Sequence, residues 1–416
     1  YDTWRDSGIL RYIARKRTAK YSPSGKYIIL THVDSSAMVL ESATGKVHQV
    51  LGNHSQLVTS AEFSKDEKYM LTSSADRKIN IYEVASGKLV RTLKGHREVI
   101  FDARFSTDGK YVLSVSWDGT LAIWDWQGDD YRFIDFGGTS PYEIQMSKND
   151  LYLAVGNLGN SLSAYEFDSG EKAKSFIGQT DIVGSIVFDN ENNLISGSWD
   201  GTVKVWDFNS ATLIAKLGGF RGGVFAVAAN NSGLIAAAGA DKKIRLWDYK
   251  TNKVIHELEG HNSAVTGLSF DNVNGRLLSC TEDGVIKIWD VKTGKEIYTR
   301  LQISTSEWLA TNASGYFDGS SDALKNVNYV SGNEVLPINS FFKKYYSPGL
   351  IDRINKGEAF DETGSLFQGK MKNVPDVSFE LANKRGGELI NEEDTISNWG
   401  EGSIELALNI NSKGID

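Results

Sequence analysis

Apolar and polar residues alternate along this chain in short runs, and the runs return on a fixed period. Around Trp124 the runs are DARFS (102–106), YVLSVS (111–116) and LAIWD (121–125), with the turns TDGK and WDGT between them. Alternation over five or six residues, bounded by Gly, Asp and Asn, predicts β-strands. A fourth, outer strand is predicted after each such group, as in KLVRTLKG (88–95). Three to four strands per unit make one twisted sheet, which cannot bury both of its faces alone. Stacking such sheets radially buries those faces against neighbours and leaves only short edges.

The period is carried by recurring units: SWDGTLAIWDWQ, SWDGTVKVWDFN, GADKKIRLWDYK and TEDGVIKIWDVK. In each, an Asp precedes a Trp-Asp pair by six residues: Asp118 and Trp124, Asp200 and Trp206, Asp241 and Trp247, Asp283 and Trp289. Three weaker copies keep the frame. Asp76 precedes Tyr82-Glu83, Asp34 precedes Leu40-Glu41, and Gly159 replaces the Asp before Tyr165-Glu166. The Trp slot falls at 40, 82, 124, 165, 206, 247 and 289, with intervals of 41 or 42. Repeats at this spacing predict an all-β, seven-bladed propeller over residues 1–304.

These residues resemble the WD40-repeat family. Gly95-His96 and Gly260-His261 match the family's Gly-His marker, and His54 is a near match after Gly52 and Asn53. The resemblance implies that His96, Asp118 and Trp124, and likewise His261, Asp283 and Trp289, form a hydrogen-bonded network within blades three and seven. Asp200, Trp206, Asp241 and Trp247 supply the same Asp and Trp slots in blades five and six. A buried Asp needs donors, and a His with backbone amides can provide them. Blades one, two and four depart from the pattern, so their rigidity is less assured. Two strands can complete the seventh blade: residues 296–303, or an N-terminal strand near 9–13. The second is favoured as a partial contributor, because the family usually closes its ring with the N-terminus.

After residue 304 the period stops. Residues 308–320 read as a β-hairpin, followed by Asn333 to Ile338 and then Phe341…Tyr345-Tyr346-Ser-Pro-Gly-Leu-Ile. About sixty residues here resemble the segment that joins propellers to a caspase-like peptidase (family C14) in bacterial WD40 proteins. Short helices are expected at 339–346 and 349–356 within a linker, 305–373. The aromatic residues Phe341, Phe342, Tyr345 and Tyr346 read as packing anchors. Residues 374–416 alternate as sandwich strands do. The resemblance implies the start of an immunoglobulin-like β module there, with a peptidase beyond it. Some of the resembling proteins are exported, which favours the periplasm or cell surface over the cytoplasm. The chain begins with Tyr1, so either a segment was removed or the chain is a trimmed fragment.

Composition adds little against this. Forty-one glycines, ten tryptophans and seventeen tyrosines suit tight turns between aromatic-rich strands. The net charge of −8 argues against a nucleic-acid scaffold, although Arg5, Arg11, Arg15, Lys16, Arg17 and Lys20 cluster near the start. No apolar run is long enough to span a membrane. The single cysteine, Cys280, lies in a predicted core strand, and a cysteine peptidase would need a Cys–His pair. His32, His48 and His256 stand singly. No catalytic, cofactor-binding or metal-binding set is expected: Gly128–Asp130 and Asp189–Asn193 read as hairpin turns rather than cation loops.

Binding is the expected role, with a protein or peptide partner on the top face. The residue before each turn Asp points to the top rim: Val33, Ala75, Trp117, Leu158, Trp199, Ala240 and Glu282. A second position faces the channel mouth: Arg17, Thr59, Phe101, Tyr142, Gly184, Phe225 and Thr266. Aromatic residues occupy these positions only in blades three to six. Phe101, Trp117, Tyr142, Trp199 and Phe225 are therefore the candidate partner-binding residues. The alternative is that they plug the channel and pack on one another. At the level of the whole protein the leading expectation is a non-catalytic sensor or scaffold that regulates a peptidase domain outside this chain. The alternatives are a stand-alone structural propeller in a bacterial envelope assembly and a channel enzyme, which lacks convergent acids and bases.

Overall fold

The computed structural model describes residues 17–32, 35–331, 334–361, 376–385, 388–389 and 404–411. Val33, Asp34, residues 9–13 and the basic residues up to Lys16 lie outside the described residues. By contact density the chain divides into two units. The first comprises residues 1–259, 263–282 and 289–295, and the second comprises 260–262, 283–288 and 296–416.

The architecture is a seven-bladed β-propeller. The first unit holds six four-stranded antiparallel sheets, each built from four consecutive strands. They span 19–51, 58–94, 100–135, 141–176, 183–217 and 224–258. It also holds the strand pair Val265–Asp271 and Arg276–Thr281 that begins the seventh sheet. In every blade the Trp slot stands on the third strand: Tyr82 on Lys78–Glu83, Trp124 on Thr120–Asp125, Tyr165 on Leu162–Glu166, Trp206 on Val203–Asp207. Each third strand is buried because it is flanked on both sides within its sheet and covered on both faces by adjacent blades. Glu296–Gln302 stands fourth in the seventh sheet, the first of the two closures expected.

The ring meets at its inner strands. The Arg17 amide donates to Thr266 Oγ1 at 3.3 Å, and the Thr266 hydroxyl donates back to the Arg17 carbonyl at 2.8 Å. At the same repeat position Thr59 donates to the Ile100 carbonyl of the next blade, 2.7 Å away. The apolar core is a series of clusters between neighbouring blades. One joins Ile79 and Ile81 of blade two to Val112, Trp124 and Trp126 of blade three.

One irregularity positions the candidate site. The first and second strands of blades two to seven pair with a register shift that leaves out one inner-strand residue. The shifts fall at Val58/Ser60, Pro141/Glu143, Val183/Ser185, Val224/Ala226 and Val265/Gly267, and Ile100 and Asp102 flank the same break in blade three. The omitted residues are Thr59, Phe101, Tyr142, Gly184, Phe225 and Thr266. A β-bulge turns its extra residue out of the regular alternation and so re-aims the side chain. The bulge gives this one repeat position a side-chain direction distinct from that of its strand neighbours.

The second unit continues with a hairpin, Trp308–Thr311 and Phe317–Gly319, paired onto Glu296–Gln302 with Thr299 opposite Thr311. A helix at Ser321–Asn326, which the sequence pattern did not suggest, is capped by the Ser320 side chain. A 3₁₀ turn (Ile338–Phe341) and helices Phe342–Tyr345 and Leu350–Asn355 follow, close to the two expected. Leu301, Leu309, Phe317, Leu324 and Tyr345 form one cluster, against which Phe341, Phe342 and Tyr346 pack. Backbone strands at Asp376–Arg385 and Ile404–Asn411 pair antiparallel, and the latter runs parallel to Val327–Ser331.

Candidate interaction surface

In an up-and-down sheet, the turn between strands two and three and the crossover to the next blade lie at the same end. Buried polar networks fix the loops at this end. In blade three Trp124 Nε1–H donates to Ser114 Oγ (2.9 Å), which lies 2.8 Å from His96 Nε2. His96 Nδ1 lies 3.0 Å from Asp118, which also accepts the Arg97 amide and the Thr120 hydroxyl. The serine oxygen already accepts from Trp124, so its proton goes to Nε2, and Nδ1–H donates to Asp118. Burial works to raise the Asp118 pKa, but the hydrogen bonds from His96, Thr120 and Arg97 hold it well below the usual carboxylate range. The His96 and Arg97 bonds to Asp118 tie the crossover to the turn, and those to Ser114 tie it to the second and third strands.

Blade two departs less than its sequence suggests. His54 bridges Asp76 (3.1 Å) and Thr72 (2.8 Å), and only the Trp slot, Tyr82, differs. Blades five and six lack the His and solve the problem otherwise. In blade five Gln179 takes the place of His. It donates to Ser196 and accepts from the Lys204 ammonium at 2.7 Å, which reaches Asp200 at 3.0 Å. In blade six Arg245 pairs with Asp241 at 2.7 Å and lies over the Phe220 ring. In blade seven Trp289 donates to Ser279 at 2.8 Å. Burial pushes the His261 pKa well down, and Lys287 adds to that shift. Asp283 accepts the Val285 amide at 3.4 Å. Sequence reasoning missed Gln179, Lys204 and Arg245, because none matches the family marker. The signal that could have found Lys204 and Arg245 is a long cationic side chain four residues beyond the turn Asp, where Ala122 stands in blade three and Lys287 in blade seven; no such signal marks Gln179.

The five candidate aromatics all belong to one packed cluster that includes Leu153, Val155 and Ile182. Phe101 and Tyr142 are buried within it, whereas Trp117, Trp199 and Phe225 are half-buried on its surface. Phe101 meets Trp117 at 5.4 Å and Tyr142 at 5.2 Å between ring centres, and Trp199 meets Phe225 at 5.4 Å. Leu158 packs against the same cluster. Gly184 holds the bulge position of blade five, where an added Cβ would stand 3.0 Å from the Trp199 indole nitrogen. Phe101 and Tyr142 are thus enclosed by packing, and Trp117, Trp199 and Phe225 are partly exposed. Sequence reasoning also missed Ile177, in the crossover into blade five, which is 88% exposed.

Below this rim a cavity of about 240 Å³ is lined by inner-strand residues of blades one to seven. One wall is ionic. Arg104 donates to Asp102, Glu62 and Glu143, each at 2.9 Å, and Lys20 reaches Glu62 at 3.1 Å. The opposite wall is small and apolar: Gly184, Ala226, Ala228 and Gly267. Arg104 and Lys20 are thus paired with carboxylates within this wall. Asp189 likewise accepts from the Glu191 and Asn193 amides, the Asn193 side chain and the Tyr249 hydroxyl, so its oxygens are occupied by donors. Burial, with the hydrogen bond to Asp189, pushes the Tyr249 hydroxyl well above its ordinary pKa. Cys280 is buried. Among the described residues no group of three or more His, Cys, Asp or Glu is placed to hold a metal ion. No described helix is long and apolar enough to cross a membrane.

Five stretches of the chain match the family model of the WD domain, G-beta repeat: residues 45–83, 87–125, 170–207, 211–248 and 252–290. The chain therefore carries WD40 repeats, arranged as a seven-bladed propeller. The matched stretches end on the third strands of blades two, three, five, six and seven. The third strands of blades one and four, with Leu40 and Tyr165 in the Trp slot, fall outside them. A propeller of WD40 repeats is a protein-interaction scaffold as a class.

Proposed function

We propose that this propeller captures a protein or peptide segment on the rim formed by Trp117, Trp199 and Phe225. The single observation that carries the reading is a rigid aromatic cluster left partly open at the loop end of blades three to six. Rigid aromatics give large contact area at little entropic cost, which is why they dominate binding hot spots. The test is capture by the double variant W117A/W199A. Both side chains pack on the core, so the variant melts lower, by an amount equivalent to about 2 kcal/mol. It remains folded and loses partner binding at least tenfold. A folded double variant that binds at full affinity removes the reading.

A finer reading concerns the whole polypeptide. The resemblance of residues 308–351 to the propeller–peptidase joining segment supports a regulatory role beside a caspase-like domain. The intact mass of the native protein tests it. Peptides mapping beyond Asp416 with a Cys–His pair support the regulatory role, and a native mass of 45.8 kDa favours a free scaffold.

A further inference from the structure

The loops around the aromatic rim carry charge in a pattern opposite to that of the rest of the unit. On the side of blades two and three, Arg77, Lys94 and Arg97 are exposed, and Arg77 reaches the Arg97 carbonyl. On the side of blade six, Arg221 and Lys242 are exposed. None of these five forms an ion pair among the described residues. Between the two groups, the loops of blade four are uncharged: Phe136 to Ser140, and Leu158, Gly159 and Asn160. The exposed carboxylates at this end are Glu98, Asp135, Asp181 and Glu259, the last of which pairs with Lys243 beside Lys242. Asp135 accepts the Gly137 amide and Asp181 the Ile182 amide.

The turns at the other end of the same sheets are acid-rich. They carry Asp66 and Glu67, Asp129 and Asp130, Glu166, Asp168 and Glu171, and Asp189 and Glu191, which outnumber the lysines of the same turns, Lys65, Lys68, Lys148, Lys172 and Lys250. A chain with a net charge of −8 thus presents a locally basic frame around its aromatic rim. Isolated surface charges contribute little affinity but steer encounter and select partners by sign.

We infer that the partner segment is acidic: an extended stretch with an apolar or aromatic anchor flanked on both sides by Asp or Glu. The anchor seats on Trp117, Trp199 and Phe225. One acidic flank meets Arg77, Lys94 and Arg97, and the other meets Arg221 and Lys242. Ile177 offers a further apolar contact beside blade five. A single-stranded nucleic acid would also offer planar groups and negative charge. Its evenly spaced phosphates, however, would pass Glu98 and Asp181 between the two basic groups, whereas a peptide confines its charge to its flanks. This inference rests on the rim reading above.

The experiment is selection of a random peptide display library on the immobilised full chain, in 50 mM and 300 mM salt, with a U₁₂ oligonucleotide as competitor. The expected peptides carry Asp or Glu on both sides of Leu, Phe or Trp. The charge-reversed variant R97E/R221E weakens them about tenfold while melting like the parent, and the higher salt weakens them severalfold. Enrichment of neutral or basic peptides, indifference of acidic ones to R97E/R221E, tighter binding of U₁₂, or no enrichment over a bare surface each overturns the inference. Non-acidic peptides that are lost on W117A/W199A would leave the rim reading standing and remove only the acidic partner. Peptides indifferent to both variants would remove both.

Discussion

At the scale of single residues the repeat tolerates large chemical change so long as the turn Asp is satisfied. Blade five shows the limits. Asp200 is nearly enclosed, and burial alone would raise its pKa. Hydrogen bonds from Thr202, Lys204 and the Thr180 amide hold it at about 2 instead. A carboxylate depressed in the folded state contributes stability that is complete above its unfolded pKa of about 4. That stability is lost as pH falls toward 2, and its size is roughly 2 kcal/mol. Replacing Asp200 by Ala strands the Lys204 ammonium, whose side chain is only 4% exposed. The expected loss at pH 7 is about 3 kcal/mol in chemical denaturation. The double variant D200A/K204M should recover much of it, because no unpaired charge then remains. Equal stability of D200A and the parent would show that Gln179 and Thr202 suffice for Lys204 without Asp200. Asp200 was legible in the sequence as a turn Asp, but its partners were not. A Lys four residues after the turn Asp reads as an exposed strand residue until the fold brings Gln179 beside it.

Single elements were more legible than single contacts. The period near 41 residues located all seven third strands, because alternation and turn chemistry repeat together. The helix Ser321–Asn326 was not visible: six residues cannot display a helical period, and its cap is a lone serine. The bulges were hidden as well, since a one-residue break in the alternation of a six-residue strand cannot be told from an ordinary irregularity. They nonetheless set the side-chain direction at that one repeat position. The outer strands carry bulges of their own beside Val39, Ile81, Ala164, Val205 and Leu246, which blunt exposed sheet edges against pairing with other chains.

The Gly of the Gly-His marker is an element-scale requirement of a different kind. An added Cβ at Gly95 would lie 2.9 Å from the Trp124 ring and 3.2 Å from the Phe133 ring, whereas at Gly52, two residues before His54 in the preceding crossover, nothing stands within 4 Å. Gly95→Ala should therefore cost about 1–3 kcal/mol through overpacking and lower the melting temperature by several degrees. Gly52→Ala should leave it within a degree or two. Similar melting of the two variants would mean that Trp124 moves aside without penalty.

At the scale of the molecule, a propeller must hold its blades in a ring although each contacts only its neighbours. The ionic cluster in the channel is one answer. Arg104 of blade three gathers Glu62 of blade two, Asp102 of its own blade and Glu143 of blade four, and Lys20 of blade one joins through Glu62. Burial opposes the Arg104 charge, but Asp102, Glu62 and Glu143 together raise its pKa well above the ordinary value. The sequence held a faint sign of this: Lys20, Glu62 and Arg104 share one repeat position, where Val187 and Ala228 stand in later blades. Removing the guanidinium by Arg104→Met leaves three carboxylates facing one lysine. Their mutual repulsion and burial then favour protonation in the folded state. A carboxyl raised on folding contributes stability at low pH that disappears as pH rises through its folded pKa. The variant should accordingly lose about 3–5 kcal/mol at pH 7 and regain part of that loss by pH 5, while the parent shows no such gain. Urea denaturation at the two pH values measures both. A loss that is the same at pH 7 and pH 5 would mean that the three carboxylates find water or Lys20 instead, and that Arg104 holds the ring by packing rather than by charge.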